Sequence, residues 1–184
     1  MAGRLIVMSG PSGSGKTSII RRLLDRVDIV FSVSATTRPP RPGETQGVDY
    51  DFVTTEEFEE MIERDDLLEW AIYNGNHYGT PSDPVDSEIS AGRDVLLDIE
   101  IDGARQVRAH RPDALMIFVA PPSTKVLEQR LRSRGDTSSQ DIASRLKIAE
   151  SQLEEAPSLF DHIVVNEALE HAIDDVANLI IGSG

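Results

Sequence analysis

A glycine-rich stretch close to the N-terminus, SGPSGSGKTS at residues 9–18, constrains the fold of this chain more than any other feature. It contains the pattern G-x-x-x-x-G-K-[ST], formed by Gly10, Gly15, Lys16 and Thr17. Glycines allow a loop whose successive backbone N–H groups point inward, and the positive end of the following helix dipole faces the same point. Lys16 adds a mobile positive charge, and the Thr17 hydroxyl is a suitable ligand for Mg²⁺. The stretch therefore predicts a cradle for a nucleoside triphosphate.

The chain on either side of this loop supports that prediction. The run LIVM at residues 5–8 is short and apolar, as expected of a buried strand. After the loop, apolar residues match the i, i+3, i+4, i+7 spacing of a helix face, namely Ile20, Leu23, Leu24 and Val27. A strand, a loop and a helix in this order are the context in which the motif binds phosphate, whereas a flexible turn that matches by chance needs neither neighbour.

The charge balance and the absence of cysteine limit the kinds of partner and of functional site that this chain can have. The 184 residues carry 18 basic and 32 acidic side chains, a net charge of −14 at pH 7. Nucleic-acid-binding proteins usually have a basic surface, so nucleic acid is disfavoured as a partner, while small anionic substrates need only local basic clusters.

Without cysteine, disulfides, thiolate zinc sites and cysteine nucleophiles are excluded. The four histidines are scattered, without the spacing of metal ligands. No apolar run approaches the roughly 20 residues of a membrane span, and no secretory pattern opens the chain, so we expect a cytoplasmic protein without membrane contact.

Short apolar runs alternate with helical patterns over most of the chain. Three further buried strands are predicted at residues 94–100, 114–120 and 162–166. Helices are predicted around residues 103–110, 123–133, 141–154 and 168–181. Strands that alternate with helices indicate an α/β fold, here a P-loop NTPase-type parallel sheet with helices on both faces. Ligands of such sheets bind at the carboxyl ends of the strands.

Residues 34–80 break this alternation. The runs YDFV, LLEWAIY and NHYGT predict short strands, and TEEFEEMIERD predicts an acidic amphipathic helix. Thr54 or Thr55 is the expected N-terminal cap of that helix. Its predicted inward face comprises Phe58, Met61 and Ile62. This segment indicates a small mixed α+β subdomain inserted into the α/β core.

Arg38 and Arg41 stand on either side of two prolines and suggest a second anion site. Prolines favour an extended helix of about three residues per turn, so residues three apart share a face. Two arginines on one face can grip one phosphate, because the planar guanidinium binds phosphate oxygens bidentately. Tyr50 and Tyr78 would add neutral donors. An exposed proline-rich linker is the alternative, but beside a phosphate loop an acceptor-phosphate site is the better interpretation, as in a nucleoside monophosphate kinase.

Several longer strings resemble the guanylate kinase family, in the family's order and over nearly the whole chain. The first is S-x-TTR-x-PR-x-GE-x-x-G-x-x-Y-x-F, from Ser34 to Phe52. The others are LLEWA (67–71), GNHYGTP (75–81), VLLDIEIDGA (95–104) and IVVN (163–166). The resemblance implies transfer of the γ-phosphoryl group of ATP to GMP, and to dGMP, giving ADP and GDP in the presence of Mg²⁺.

The resemblance also implies roles for residues on the acceptor side. Ser34, Glu69 and Thr80 would read the guanine. An ionised carboxylate accepts hydrogen bonds from both N1–H and the N2 amine, whereas adenine lacks this donor pair. The Thr80 hydroxyl would donate to O6, and Glu44 would orient an arginine. The implied GMP-binding set comprises Ser34, Arg38, Arg41, Glu44, Tyr50, Glu69, Tyr78, Thr80, Asp98 and Glu100, the last standing where relatives commonly have aspartate.

On the ATP side, the resemblance implies a loop, a lid and a metal. Mg²⁺ is the implied cofactor, bound by Thr17 and, through water, by Asp98. Arginines of the lid would offset charge on the transferring phosphoryl group. The implied catalytic set is Lys16, Arg134, Arg145 and Asp98. The implied ATP-binding set is Gly10, Pro11, Ser12, Gly13, Ser14, Gly15, Lys16, Thr17, Ser18, Arg130, Arg134 and Asn166, the last near the adenine.

One guanylate kinase-like domain is therefore expected over residues 1–184. Its predicted core comprises about 1–33, 81–129 and 146–184, with a GMP-binding subdomain at about 34–80 and a lid at about 130–145. Two rivals are a non-catalytic module of this family that binds phosphorylated proteins and a related kinase that acts on a phosphosugar. The intact phosphate loop disfavours the first, and the guanine-reading set disfavours the second. The sequence does not distinguish a monomer from a homo-oligomer.

Overall fold

The computed structural model describes residues 2–133 and 139–182. In chain order, the helices and strands are β1 (Leu5–Ser9), α1 (Lys16–Leu24), β2 (Val30–Phe31), β3 (Ala35–Thr36), β4 (Asp51–Phe52), α2 (Thr55–Glu63), β5 (Leu67–Tyr73), β6 (Asn76–Pro81), α3 (Ser82–Ser90), β7 (Val95–Asp98), α4 (Ile101–His110), β8 (Leu115–Ala120), α5 (Thr124–Ser133), α6 (Ser139–Leu159), β9 (His162–Val165) and α7 (Leu169–Gly182).

The chain divides into two compact units, which are described separately. The first unit consists of Met1–Leu5, Ile29–Asp98 and Asp102–Ala114. The second consists of Ile6–Asp28, Ile99–Ile101 and Leu115–Gly184. The two units do not coincide with the predicted inserted subdomain and lid. The predicted boundaries of those segments therefore remain predictions.

The second unit is built on the parallel strands β1, β8 and β9. Strand β1 pairs in parallel with β8, Ile6 lying opposite Leu115, and β8 pairs in parallel with β9, Ile117 lying opposite His162. All of β1 and nearly all of β8 are buried, as expected for continuous apolar runs covered on both faces. Helices α1 and α7 are linked on the surface by the ion pair of Arg22 with Glu170.

The first unit contains a parallel pair and a separate four-stranded sheet. Strands β2 and β7 are parallel, with Val30 opposite Val95. The four-stranded sheet has the order β4-β3-β6-β5, in which β5 and β6 form an antiparallel hairpin. The hairpin turns at Asn74 and Gly75, whose φ angles of 49° and 78° suit a two-residue turn with both central residues left-handed. Thr54 caps α2 in a capping box with Glu57, so the first of the two predicted caps is the observed one.

The differences between predicted and observed elements have physical causes. Helix α3 was not predicted because most of SDPVDSEIS is polar and only Val85 of that helix is buried. Strands β2 and β3 have two residues each, too few for a periodic pattern. The predicted face of α1 was partly wrong. The helix ends at Leu24, which is exposed, and Val27 lies beyond it, while the buried residues are Ile19, Ile20 and Leu23.

Two further helices deviate from prediction in smaller ways. In α2 only Phe58 is fully buried, and Met61 and Ile62 are half-buried. Helix α6 extends past its predicted end to Leu159 and includes Pro157 in its last turn. Within residues 2–133 and 139–182, no helix is long and apolar enough to cross a membrane.

Candidate functional site

The phosphate loop connects β1 to α1 in the second unit, as the motif requires. Gly15 occupies the N-cap position of α1 with a φ of 94°, a left-handed conformation that side chains rarely adopt. A Cβ at this position would also lie 2.2 Å from Asn166 Nδ2. Lys16 is the first residue of the helix and is half-buried, whereas Thr17 and Ser18 are exposed. The positive end of the α1 dipole and the Lys16 ammonium suit an anion at the loop.

Two side chains from other elements hold the loop in place. Asn166, directly after β9, is only 4% exposed, and its Nδ2 donates to the Ser14 carbonyl at 2.7 Å. Arg130 in α5 donates to the same carbonyl at 3.2 Å and to the Asn166 carbonyl at 2.8 Å. Asn166 was expected near the adenine, and the structure places its amide against the phosphate loop itself. Both residues therefore fix the loop through its backbone.

One predicted lid residue reaches the loop, and one lies outside the described residues. Arg145 in α6 is half-buried and donates to Ser12 Oγ at 3.2 Å. Arg134 falls in residues 134–138, outside the described ranges. Two residues of the predicted catalytic set, Lys16 and Arg145, thus lie at the phosphate loop.

The predicted acceptor-phosphate residues form a compact group in the first unit. The Arg38 guanidinium makes a bidentate ion pair with Glu44, with distances of 2.8 and 3.0 Å. It also lies over the ring of Tyr50, 5.2 Å from the centroid. The ring of Tyr78 meets Tyr50 edge-on with centroids 6.1 Å apart. Phe52 lies against the same guanidinium at 5.6 Å and was not predicted as a site residue, although aromatic spacing beside Tyr50 could have indicated it.

Glu44 organises both arginines of this group. Its Oε2 accepts from Arg38 and from the backbone N–H of Arg41 at 2.6 Å. The hydrogen bond from Arg38 and then that from the Arg41 backbone lower the pKa of Glu44 to about 2. The pKa of Arg38 is raised, chiefly by its hydrogen bond to Glu44. The Arg41 side chain is exposed, so Glu44 holds one guanidinium and only the backbone of the other arginine.

The predicted base-reading residues Glu69 and Thr80 face each other across the β5–β6 hairpin. Glu69 is 6% exposed and Thr80 fully buried. The Thr80 hydroxyl donates to Glu69 Oε1 at 2.7 Å, so here it aligns the carboxylate. Burial disfavours the charged form and raises the pKa of Glu69 to about 7, although the hydrogen bonds from Thr80 act in the opposite direction.

Three further residues were predicted on the acceptor side, namely Ser34, Asp98 and Glu100. Ser34 directly precedes β3, is half-buried, and accepts at its carbonyl from Asp51 N–H at 2.9 Å. Asp98 ends β7 and contributes to the raised pKa of Tyr50, after the larger effect of burial. Glu100 is exposed and lies in the second unit, just before α4. Its role remains a prediction.

Sequence reasoning missed the contacts that helix α4 makes with Glu69 and its neighbour. A Cβ at Gly103 would lie 2.2 Å from Glu69 Oε2. The Gln106 side chain bonds to both the N–H and the carbonyl of Trp70. Gly103 lies in the string VLLDIEIDGA that carries the resemblance, but no local pattern indicated its contact with Glu69 or that of Gln106 with Trp70, because β5 lies more than 30 residues earlier.

Comparison with known proteins identifies the family. The guanylate kinase family model matches residues 2–182. The chain belongs to the guanylate kinase family. A guanylate kinase of Synechococcus sp. (strain JA-3-3Ab) is 51% identical over 179 residues, which cover 97% of this chain and 82% of that protein. A guanylate kinase of Rhodococcus jostii (strain RHA1) is 47% identical over 183 residues, covering 98% of this chain and 88% of that protein.

A solved structure supports the same assignment. The crystal structure of guanylate kinase from Anaplasma phagocytophilum matches with a TM-score of 0.80 and 31% sequence identity, covering 99% of this chain and 86% of that chain. The family recognised from the sequence and the predicted α/β class with a parallel central sheet are therefore confirmed. The roles of the single site residues remain predictions.

Proposed function

We propose that this guanylate kinase family member transfers the γ-phosphoryl group of ATP to GMP, and to dGMP, giving ADP and GDP. The observation that carries the choice of acceptor is the buried Glu69 carboxylate, aligned by Thr80 at 2.7 Å. Removing a carboxylate from water is costly unless it gains hydrogen-bond donors. The guanine edge offers two adjacent donors, N1–H and the N2 amine, to the two oxygens of one carboxylate.

The same geometry explains why other bases would be rejected. Adenine and the pyrimidines lack this adjacent donor pair, so binding them would leave a Glu69 oxygen buried without a partner. An unpaired buried polar group costs about 1–3 kcal/mol, and more if it is charged. A site built to bond a substrate donor discriminates strongly against an analogue without it. Family membership supports the same acceptor.

Basic side chains of the chain are suited to hold the two phosphate groups. Arg38, held by Glu44, would bind the GMP phosphate, while Lys16 and Arg145 would bind the triphosphate at the loop. An oxygen of the GMP phosphate attacks the γ-phosphorus in line, and ADP leaves, so no protein nucleophile is needed. The protein contributes by positioning two anions that repel each other and by neutralising their charge.

The residues present fit Mg²⁺ as the cofactor. In the described ranges, no group of three or more histidine or acidic residues is placed to hold a metal ion. Mg²⁺ usually binds through one or two protein oxygens together with waters and substrate phosphates. The Thr17 hydroxyl, and the Asp98 carboxylate through water, are the proposed protein contributions. When bound, Mg²⁺ neutralises charge on the phosphate oxygens.

A coupled ADP-release assay tests this function. ATP and Mg²⁺ are held constant while GMP, AMP, CMP, UMP and a ribose bisphosphate are compared as acceptors. We expect strong turnover with GMP and little with the others. A Lys16→Ala variant, folded by circular dichroism, is the matched control and should lose most of the GMP-dependent activity. If the folded parent binds GMP yet turns over none of these acceptors, the kinase proposal fails and the phosphoprotein-binding module becomes the better interpretation.

A further inference from the structure

The Gln106 side chain of helix α4 takes the place of a neighbouring strand at one residue of β5. Strand β5 is at the edge of the four-stranded sheet, and in the described chain no strand lies beyond it. Gln106 Oε1 accepts from the Trp70 N–H at 3.1 Å, and Gln106 Nε2 donates to the Trp70 carbonyl at 2.8 Å. A neighbouring strand would make this same pair of bonds. The amide therefore docks α4 at the residue directly after Glu69.

The same face of α4 meets the Glu69 carboxylate one turn earlier. Gly103 lies at i−3 from Gln106, so both face β5. A Cβ at position 103 would lie 2.2 Å from Glu69 Oε2 and 2.9 Å from its Cδ. The Gly103 φ is not in the left-handed region, so an added side chain would be opposed by this close approach and not by backbone conformation, and the Glu69 carboxylate would have to shift.

The carboxylate is consequently bounded on both sides. Thr80 bonds to Oε1 and the bare backbone of Gly103 lies against Oε2. A register shift in the hairpin between Leu67 and Glu69 places Glu69 directly opposite Thr80. Irregularities of this kind re-aim side chains. Position, bonding and register thus all fix one orientation of the carboxylate.

We propose that Gly103 and Gln106 are positioning residues that set the place of the Glu69 carboxylate and thereby the selectivity for the guanine base. The inference rests on the proposed function, since it takes Glu69 as the group that binds N1–H and the N2 amine. A carboxylate pushed away from Gly103, or released by loss of the Gln106 bonds, can no longer meet both donors at hydrogen-bonding distance. A bidentate contact needs both Glu69 oxygens aligned with the two guanine donors. The hydrogen bond to the N2 amine is the one that we expect a displaced carboxylate to weaken most.

A purely structural role for these residues makes a different prediction. If Gly103 and Gln106 only attach α4, substitutions should lower thermal stability and affect all substrates alike. A positioning role should instead change the preference between GMP and inosine monophosphate, which keeps N1–H but lacks the 2-amine. It should leave the KM for ATP unchanged.

The test compares Gly103→Ala and Gln106→Leu with the parent. The readout is the ratio of kcat/KM for GMP to that for inosine monophosphate, together with the KM for ATP and the melting temperature. We expect the ratio to fall about tenfold in each variant, as expected when a hydrogen bond to a charged group is weakened. Ala109→Leu, at an exposed position on the same helix, is the matched control and should keep the parent ratio.

A double-substitution cycle shows whether Gly103 acts through Glu69. In a Glu69→Ala background the added methyl group at position 103 meets no carboxylate, so Gly103→Ala should have little further effect on GMP binding. An additive effect would contradict the inference, as would an unchanged substrate ratio in either folded variant. If Gly103→Ala does not fold, Gln106→Leu decides. If neither folds, the two residues are structural and the inference is overturned.

Failure of the proposed function would be separable from failure of this inference. The affinities of GMP and inosine monophosphate can also be compared by equilibrium binding, without turnover. A parent that binds GMP but transfers no phosphoryl group would refute the kinase activity alone. A parent that transfers the group while the variants keep its selectivity would refute the positioning role alone.

Discussion

At the scale of single residues, the proposed recognition of guanine depends on the charge state of Glu69. Its pKa of about 7 means that the free protein near neutral pH holds this side chain in both forms. Only the ionised form accepts from both guanine donors, because a protonated carboxyl group keeps one oxygen as a donor. Binding of GMP should therefore release a proton when it begins from the protonated form.

We predict that GMP affinity rises with pH through about pH 7 and levels off above it. Below this value, part of the binding energy is spent on deprotonating Glu69. The measurement is calorimetric titration of GMP between about pH 5.5 and pH 8.5. Glu69→Gln is the control, since it cannot ionise and leaves only the titration of the GMP phosphate. Parallel profiles for parent and variant would contradict the prediction.

Glu44 offers a second prediction at this scale, because it holds the Arg38 guanidinium that we propose for the GMP phosphate. The two side chains are only 11% and 19% exposed, so the pair is well shielded from solvent. In Glu44→Gln the bidentate ion pair is lost, and we predict that the KM for GMP rises about tenfold while the KM for ATP stays unchanged. Steady-state kinetics with each substrate varied would measure both.

A charge-matched control separates orientation of Arg38 from a general change of charge. Glu56→Gln removes the same charge from an exposed position at the start of α2. It should leave both KM values at those of the parent. Equal changes in KM for the two substitutions would show that Glu44 acts only through the overall electrostatic field of the protein.

At the scale of elements, α2 depends on its N-terminal cap. The Thr54 hydroxyl accepts from the Glu57 N–H at 3.1 Å, and Glu57 Oε2 accepts from the Thr54 N–H at 2.7 Å. We predict that Thr54→Ala lowers the free energy of unfolding by about 1 kcal/mol, because a helix N–H loses its acceptor. Chemical denaturation measures this. Thr55→Ala, one residue inside the helix, should cost much less, and similar losses would argue against the capping box.

The elements also show what the sequence could predict. Strand β8 is a continuous apolar run and helix α7 has a periodic apolar stripe, so both were predicted nearly at their observed bounds. Glu69 and Thr80 were predicted to read the base only through the resemblance, and that role remains a prediction. Gly103 and Gln106 were not, because their contacts with β5 follow from tertiary packing that no local pattern encodes. Helix α3 was missed for lack of an apolar stripe.

At the scale of the whole molecule, the net charge of −14 is the dominant electrostatic property. Like charges repel in the compact state, while exposed ion pairs such as that of Arg26 and Asp174 contribute little. We predict that the melting temperature rises between about 10 mM and 150 mM NaCl, as the screening length falls from about 30 to 8 Å. Sucrose of equal osmolality is the control for general solute effects. A melting temperature that falls with salt would mean that attractive pairs dominate.

The buried carboxylate of Glu69 affects which substitutions at position 69 would be favoured by selection for stability. Because its pKa is about 7 in the folded chain and about 4.5 for an ordinary glutamate, the folded chain keeps a proton that the unfolded chain has released between these values. Its contribution to stability is therefore greatest below pH 4.5 and is lost as the pH rises through 7. A laboratory selection for heat resistance alone, carried out above pH 7, would favour neutral replacements at this position. The selected variants would be more stable but would lack the carboxylate that we propose to select guanine. Glutamate at position 69 is therefore expected to persist only where activity itself is under selection.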